Sequence, residues 1–342
     1  MSMASLAALD ALPRVDLLDG PTPIQRLARV EAALGLGERR IRLYAKRDDL
    51  MSLGGGGNKL RKLEYHLGAA MAEGVDTIIS VGGVQSNHAR LTAAACARLG
   101  LACELILGRM VPRDGDDYEK NGNVLLDDLF GAKPILLPTG ANAIEHANAR
   151  AEALRAESRK VTIIPLGGST PLGVLGYVRC AREIAQQEDE RGQRFARVVV
   201  PNGSSGTHAG LLAGFAAMDR DARAVKAYTV LATADKAAEN TLALANAALR
   251  LLGVNTALTA DDVEVDGAQL GDGYGVTTEA MVQAVRLMAS HEGVLLDPVY
   301  SGKAFAGLLA DLRSGAIPDG AEVLFVVTGG TPGLFAYREV FA

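Results

Sequence analysis

Short β-branched runs alternate with longer, alanine-rich stretches of helical spacing along most of this chain. Residues 77–81 read as a strand, 87–99 as a helix, 103–107 as a strand and 122–130 as a helix. A strand at 134–137, a helix at 144–156 and a strand at 161–165 follow, then a long helix over about 174–189. The pattern resumes with a strand at 198–200, a helix at 207–217, a strand at 225–230, helices near 236–251 and 278–292, and a last strand at 323–327. Such alternation is the signature of βαβ units and of parallel sheets covered by helices on both faces, so an α/β fold is expected. Nearer the start, Ile24, Leu27, Val30 and Leu34 predict a helix that stops at Gly35 and Gly37, and 41–45 reads as a strand ending in Lys46-Arg47-Asp48-Asp49.

Two breaks interrupt the alternation. Gly167-Gly168-Ser169-Thr170-Pro171 is one, and the run Gly54-Gly55-Gly56-Gly57-Asn58-Lys59 is the other. They place a smaller α/β domain at 61–175 and assemble a larger one from 1–60 and 176–342. The glycine run leads straight into Leu60, Leu63 and Leu67 at helical spacing, with Asn58 able to cap the helix start. Glycines let the backbone approach a ligand closely, and a lysine held beside such a turn, out of water, has a lowered pKa and can act as a nucleophile towards a carbonyl. Lys59 is therefore the first candidate for chemistry. Arg61 and Lys62 read equally well as solvated surface charges. A nucleotide phosphate loop is ruled out, because that pattern needs a Ser or Thr where Leu60 stands.

The 342 residues, 49% hydrophobic and 22% charged, suffice for one large or two modest globular cores. A net charge of −5 without long single-sign runs gives no footprint for nucleic acid or an anionic membrane, which points to small-molecule partners. Positions 1–13 lack a basic n-region and a small-residue cleavage site, and no apolar run reaches membrane-spanning length, so a cytoplasmic location is expected. Cys96, Cys103 and Cys180 fit no zinc or redox spacing and read as core residues; the five histidines are scattered and show no metal motif.

Three further clusters could carry chemistry. Gly203-Ser204-Ser205-Gly206-Thr207 follows a strand and opens a helix, a junction that offers backbone N–H groups, hydroxyls and the positive helix end to a phosphate. Its glycines, at 203, 206 and 210, do not make a dinucleotide fingerprint, so a lone phosphate monoester fits better. Gly82-Gly83-Val84-Gln85-Ser86-Asn87-His88 repeats the arrangement; Asn87 can donate to an oxyanion and Ser86 can meet a substrate, although taken alone both read as helix caps. The third cluster comprises Gly273-Tyr274-Gly275, Asp297-Pro298-Val299-Tyr300-Ser301-Gly302-Lys303 and Thr328-Gly329-Gly330-Thr331 at strand ends, where ligands sit in open α/β sheets.

Taken together, these segments resemble the pyridoxal-phosphate enzymes of the tryptophan-synthase-β structural type. Within them the match is to the branch that holds 1-aminocyclopropane-1-carboxylate deaminase, D-cysteine desulfhydrase and L-cysteate sulfo-lyase. The likeness runs from about Pro21 to Tyr337 and is sharpest at 56–64, Gln85-Ser86-Asn87-His88, 206–211 and Asp297-Pro298-Val299-Tyr300 with Gly302-Lys303. The resemblance implies two open twisted sheets flanked by helices. It implies that Lys59 carries pyridoxal 5'-phosphate as a Schiff base, that Asn87 bonds the ring hydroxyl oxygen, and that the 203–207 loop holds the phosphate. Ser86, Tyr274 and Tyr300 would line the substrate side and assist proton transfer.

Inside the branch, the cyclopropane deaminase is expected to have a glutamate where this chain has Ser301 and a leucine where it has Thr328. A neutral hydroxyl would then face the ring nitrogen, which favours prompt expulsion of a β substituent over a deep electron sink. Gly206-Thr207-His208 also resembles the desulfhydrase form, while Ser205 and Val276-Thr277-Thr278 depart from the usual pattern. The expected activity is β-elimination from a sulfur-bearing amino acid, D-cysteine first, with L-cysteate and the cyclopropane acid as alternatives. A non-catalytic binder of the cofactor or a metabolite is the alternative of another class. A homodimer is expected, the commonest assembly.

Overall fold

A computed structural model describes residues 6–342, so the first positions of the apolar opening stretch lie outside the described residues. Ten strands occur in chain order among them: β1 Ile24–Arg26, β2 Arg42–Arg47, β3 Thr77–Gly83, β4 Ala102–Gly108, β5 Lys133–Leu136, β6 Val161–Ile164, β7 Arg197–Asn202, β8 Val225–Thr229, β9 Glu264–Asp266 and β10 Glu322–Val327. They form two sheets, a six-stranded one in the order β1-β2-β10-β7-β8-β9 and a four-stranded one in the order β5-β4-β3-β6. All pairs are parallel except β1 with β2.

Alternation along each strand divides the apolar residues between two faces. On β10, Leu324 and Val326 enter one core, with the helices Pro171–Arg191 and Gly206–Ala217, while Val323, Phe325 and Val327 enter another, with Ser301–Ser314 and Glu279–Glu292. In the smaller sheet Ile78 and Leu105 face one cluster, and Ile79 and Ile106 the opposite one. The three cysteines are free and buried. No helix among the described residues is long and apolar enough to cross a membrane.

The segment predicted as a helix from Ile24 instead begins as β1, and its helix is only Ala28–Ala33. The reason is tertiary: Ile24, Gln25 and Arg26 pair with Lys46, Ala45 and Tyr44 at the sheet edge, which overrides the local period. The Ser301–Ser314 helix was not expected, although Phe305, Leu308, Leu309 and Leu312 stand at helical spacing.

Close helix packing brings the site together. At Gly210 an added Cβ would lie 2.3 Å from the Tyr177 Cβ and 2.6 Å from the Val174 carbonyl oxygen, and at Gly176 it would lie 2.1 Å from the Arg61 carbonyl oxygen. The Pro171–Arg191 helix is thus clamped between the Gly206–Ala217 and Lys59–Ala72 helices at backbone contact. In an exposed helix Gly→Ala gains up to about 1 kcal/mol, whereas overpacking costs about 1–3 kcal/mol. Gly210→Ala is therefore expected to lower the urea midpoint, while Gly37→Ala, with nothing within 4 Å of the added carbon, leaves it nearly unchanged. A Gly210→Ala protein as stable as the parent would refute the clamp.

Candidate active site

Gly54, Gly55, Gly56 and Gly57 all take positive φ, at 60°, 78°, 72° and 132°. A side chain at Gly56 would meet the Asp49 carbonyl oxygen at 2.3 Å, so the turn folds directly onto the chain before it. The Arg90 guanidinium donates to the carbonyls of Gly54 and Gly56, the latter at 3.0 Å, and fixes the turn from the other side. Asn58 does not cap the helix that starts at Lys59: its side chain makes no cap bond. Its Nδ2 instead donates to Thr207 Oγ1 at 3.0 Å, and its backbone N–H to the Thr328 carbonyl at 3.0 Å. Gly57 also bridges Gly329. The residue before Lys59 is thereby tied to the end of β10 and to the start of the Gly206–Ala217 helix.

Lys59 opens into a cleft of about 710 Å³, mouth included, between the C-terminal ends of the two sheets. Enclosure lowers the pKa of its amine to about 8, against an opposing pull from Asp297. With Lys59, these residues singled out from the sequence reach the cleft: Ser86 and Asn87 from the end of β3, the loop Gly203, Ser204, Ser205, Gly206 and Thr207 from the end of β7, Tyr274, Tyr300 and Thr328.

On the loop side, Ser205 sits at φ 63° and the Gly206–Ala217 helix has no side-chain cap; the Gly206 N–H donates to the Ser204 carbonyl at 2.8 Å, which leaves the N–H groups that follow it in the first turn for a ligand. The Ser205 hydroxyl turns away from the cleft to donate to Asn202 Oδ1 at 3.2 Å, so the backbone N–H is what Ser205 can offer an anion. Ser204 Oγ lies 2.8 Å from Ser169 Oγ, and Lys62 Nζ donates to Ser169 Oγ at 3.0 Å and to the Gly167 carbonyl at 3.1 Å. A Cβ at Gly206 would lie 2.5 Å from Ser169 Oγ and 2.7 Å from Lys62 Nζ, so only glycine admits this buried amine to the loop. Burial, with the charge of Lys59, pushes the Lys62 amine well below the usual lysine range. Two enclosed amines and an uncapped helix start lining one cleft fit a phosphorylated aldehyde: a phosphate would compensate Lys62 and the helix end, and an aldehyde would have the Lys59 amine within the same cleft.

On the opposite side, Ser86 caps the Asn87–Leu99 helix by accepting from the Ala89 N–H at 3.1 Å, which leaves its own O–H free to donate into the cleft. The cap therefore does not exclude a substrate-side use of Ser86. The Tyr274 and Tyr300 hydroxyls are 2.5 Å apart, and Lys59 Nζ stands 5.9 Å from the Tyr300 ring centre. Burial raises both phenols, so each is a proton donor at rest. Lys303 donates to the carbonyls of Leu270 and Gly273 at 2.7 and 3.0 Å, and Tyr337 to that of Gly275 at 3.1 Å, which holds the Tyr274 segment on both flanks. Asp297 accepts from the backbone N–H groups of Val299, Tyr300 and Ser301 at 3.0, 2.8 and 2.7 Å and so orients Tyr300.

One expectation about the cleft needs correction. Ser301 does not line the cleft: its hydroxyl donates to Asp297 Oδ1 at 2.5 Å, which leaves Thr328 as the neutral hydroxyl of the pair that does. His208 also lies outside the cleft, fully buried beside Asn202, and burial lowers its pKa to about 4. The sequence reading missed Lys62, which reaches the loop because it stands three residues, one helical turn, after Lys59. Arg61 is equally far from solvent, held between Asp48 and Glu183. His88 borders the cleft with neither ring nitrogen hydrogen-bonded.

Comparison with known proteins places this geometry in a family. The chain is 41% identical over 331 residues to a protein of Salmonella newport (strain SL254) named D-cysteine desulfhydrase, which spans 96% of this chain and 98% of the relative. A D-cysteine desulfhydrase of Klebsiella pneumoniae (strain 342) is 40% identical over 334 residues, 98% of this chain and 99% of that one. Among solved structures, a homologue of ACC deaminase superposes with TM-score 0.88 at 37% identity, covering 100% of this chain and 99% of the other. A pyridoxal 5'-phosphate-dependent aspartate racemase, at TM-score 0.64 and 14% identity, shares the fold. Residues 15–329 match the family model described as pyridoxal-phosphate dependent enzyme, and with the lysine-bearing cleft between two α/β sheets this places the chain in that family.

Proposed function

We propose that the chain is a D-cysteine desulfhydrase, which eliminates sulfide from the β carbon of D-cysteine with release of pyruvate and ammonia. The observation that carries this reading is the meeting, in one cleft, of the Lys59 amine, the Ser86 hydroxyl and the paired Tyr274 and Tyr300 phenols, in a chain about two-fifths identical over nearly its full length to proteins of that name. The division into a domain of 61–175 and one built from 1–60 and 176–342 belongs to the same reading. A cytoplasmic homodimer does too; free, buried cysteines suit a reducing compartment.

Lys59 is the residue that holds pyridoxal 5'-phosphate covalently. The 203–207 loop and Lys62 would grip the phosphate, Asn87 would donate to the ring hydroxyl oxygen, and Thr328 would offer an uncharged side chain to the ring. When bound, the cofactor accepts the electron pair left by removal of the α proton and returns it as the β substituent leaves. The remaining steps fall to the protein. The uncapped O–H of Ser86, at a helix N-terminus, binds the substrate carboxylate. The amine of Lys59, once displaced, takes the α proton at Nζ; a pKa near 8 suits a base that works close to neutrality. The Tyr300 hydroxyl, hydrogen-bonded to Tyr274, delivers a proton to the departing sulfur. Both phenols are held neutral by burial, so that proton is available throughout the working pH range.

The reading is tested by measuring the 2-oxo acid released from D-cysteine, L-cysteine, L-cysteate and the cyclopropane acid, with sulfide from the cysteines and sulfite from cysteate. The highest kcat/KM is expected with D-cysteine, and turnover of the cyclopropane acid alone, to 2-oxobutanoate, would overturn the assignment. Cofactor capture should also follow the Lys59 amine. Only its neutral form attacks an aldehyde, so capture by the cofactor-free protein is expected to quicken as pH rises through about 8 and then level off. In Asp297→Asn the upward pull on that pKa is lost, and the midpoint moves to lower pH. A rate still climbing beyond about pH 10, as for a solvated lysine, would contradict an enclosed amine.

A further inference from the structure

An asparagine side chain is nearly symmetric in shape but opposite in chemistry at its two ends, so one that meets a ligand oxygen must be told which end to present. Asn87 has such an instruction built behind it. Asn123, fully buried at the start of the Asn123–Leu129 helix, lies against it. Asn123 Oδ1 accepts from Arg90 Nε at 3.1 Å, and Nε is always a donor. Asn123 Nδ2 donates to the Gln85 carbonyl at 3.2 Å, and a carbonyl is always an acceptor. Those two partners leave the Asn123 amide one orientation. Its remaining contact is the donation of Nδ2 to Asn87 Oδ1 at 3.0 Å, which in turn engages the oxygen of Asn87 and leaves the nitrogen for the cleft.

The nitrogen end has a berth shaped for it. An added Cβ at Gly330 would lie 2.6 Å from Asn87 Nδ2, so glycine is needed where the amide passes the end of β10. The anchor is firm as well: the Asn123 N–H donates to Gln85 Oε1 at 2.9 Å, while Gln85 Nε2 donates to the carbonyls of Tyr118 and Asn121 at 2.6 and 2.9 Å. Arg90, which starts the relay, is the same residue that grips the glycine turn before Lys59.

We propose that Asn123 is a positioning residue that locks the Asn87 amide with its N–H end towards the cofactor's ring hydroxyl oxygen. The proposal rests on the reading that Asn87 meets that oxygen. An aspartate at 123 still accepts from Arg90 Nε but turns an acceptor towards Asn87, which must then reverse and face the cleft with its own oxygen. The loss of a donor to an anionic ring oxygen is expected to weaken cofactor binding about tenfold or more. It should also shift intensity from the visible absorbance band of the bound cofactor to a near-ultraviolet one.

The test strips the cofactor from the enzyme and from its Asn123→Asp, Asn87→Asp and doubly substituted forms and titrates each with pyridoxal 5'-phosphate, recording affinity and the spectrum of the reconstituted holoenzyme. Asn123→Asp should reproduce the affinity loss and band shift of Asn87→Asp, and in the Asn87→Asp background it should add less than about a twofold effect, as coupled residues do. Equal losses in both backgrounds, or an unchanged spectrum in Asn123→Asp, would overturn the proposal while leaving the enzyme assignment standing; a parent that binds no cofactor removes both. Neutron diffraction on the unmodified holoenzyme needs no variant. Deuterons are expected on the Asn123 atom facing Asn87 and on the Asn87 atom facing the cleft, and their absence from either atom would equally overturn it.

Discussion

An amine that is to attack a carbonyl must lose its proton near neutral pH, and the way a fold arranges this is to take the amine out of water. Lys59 is enclosed by segments distant in sequence, the end of β10 at Thr328 and the start of the Gly206–Ala217 helix, and Asn58 ties both to the residue before it. One side-chain amide and one backbone N–H thus join the glycine turn, the loop that fits a phosphate and a central strand of the larger sheet. The close packing at Gly176 and Gly210 keeps the supporting helices near enough for that tie to form.

The helix that begins at Lys59 shows how partners decide the state of buried charges. Arg61 and Lys62 are adjacent and both almost wholly removed from solvent. Arg61 meets Asp48 and Glu183, and their charges hold its pKa well above the usual value despite burial; Tyr177 donates to the same Asp48. Lys62 meets only a carbonyl and a hydroxyl, and its pKa falls. Arg61 therefore acts as a complete structural ion pair joining this helix to Pro171–Arg191, whereas Lys62 is a buried amine whose charge lacks a counter-anion, in keeping with a phosphate held beside it.

Much of this was legible in the sequence, because the alternation of β-branched runs and alanine-rich stretches is a local signal and parallel sheets need little else. The helix at Asn87–Leu99 begins and ends where its pattern does. What was not legible depended on distant partners. Ile24 became a strand because β2 was there to pair with it, and Asn58 bonded Thr207 instead of its own helix. Ser301 lost its place beside the ligand to Asp297, four residues earlier, a contact its spacing permits but does not require. The cleft residues themselves were found because glycine-rich turns after strands mark where ligands sit; Lys62 was passed over because burial of a charge cannot be seen in composition.

The central claim is that the enclosed amine at position 59 holds the cofactor by a covalent bond. Reduction of the holoenzyme with borohydride, followed by digestion and peptide mass spectrometry, tests it directly. The account predicts that the pyridoxyl mass is found on Lys59, the residue that follows Asn58, and that Lys62 stays unmodified. Label on Lys62 or on any other lysine, or on none, would contradict it.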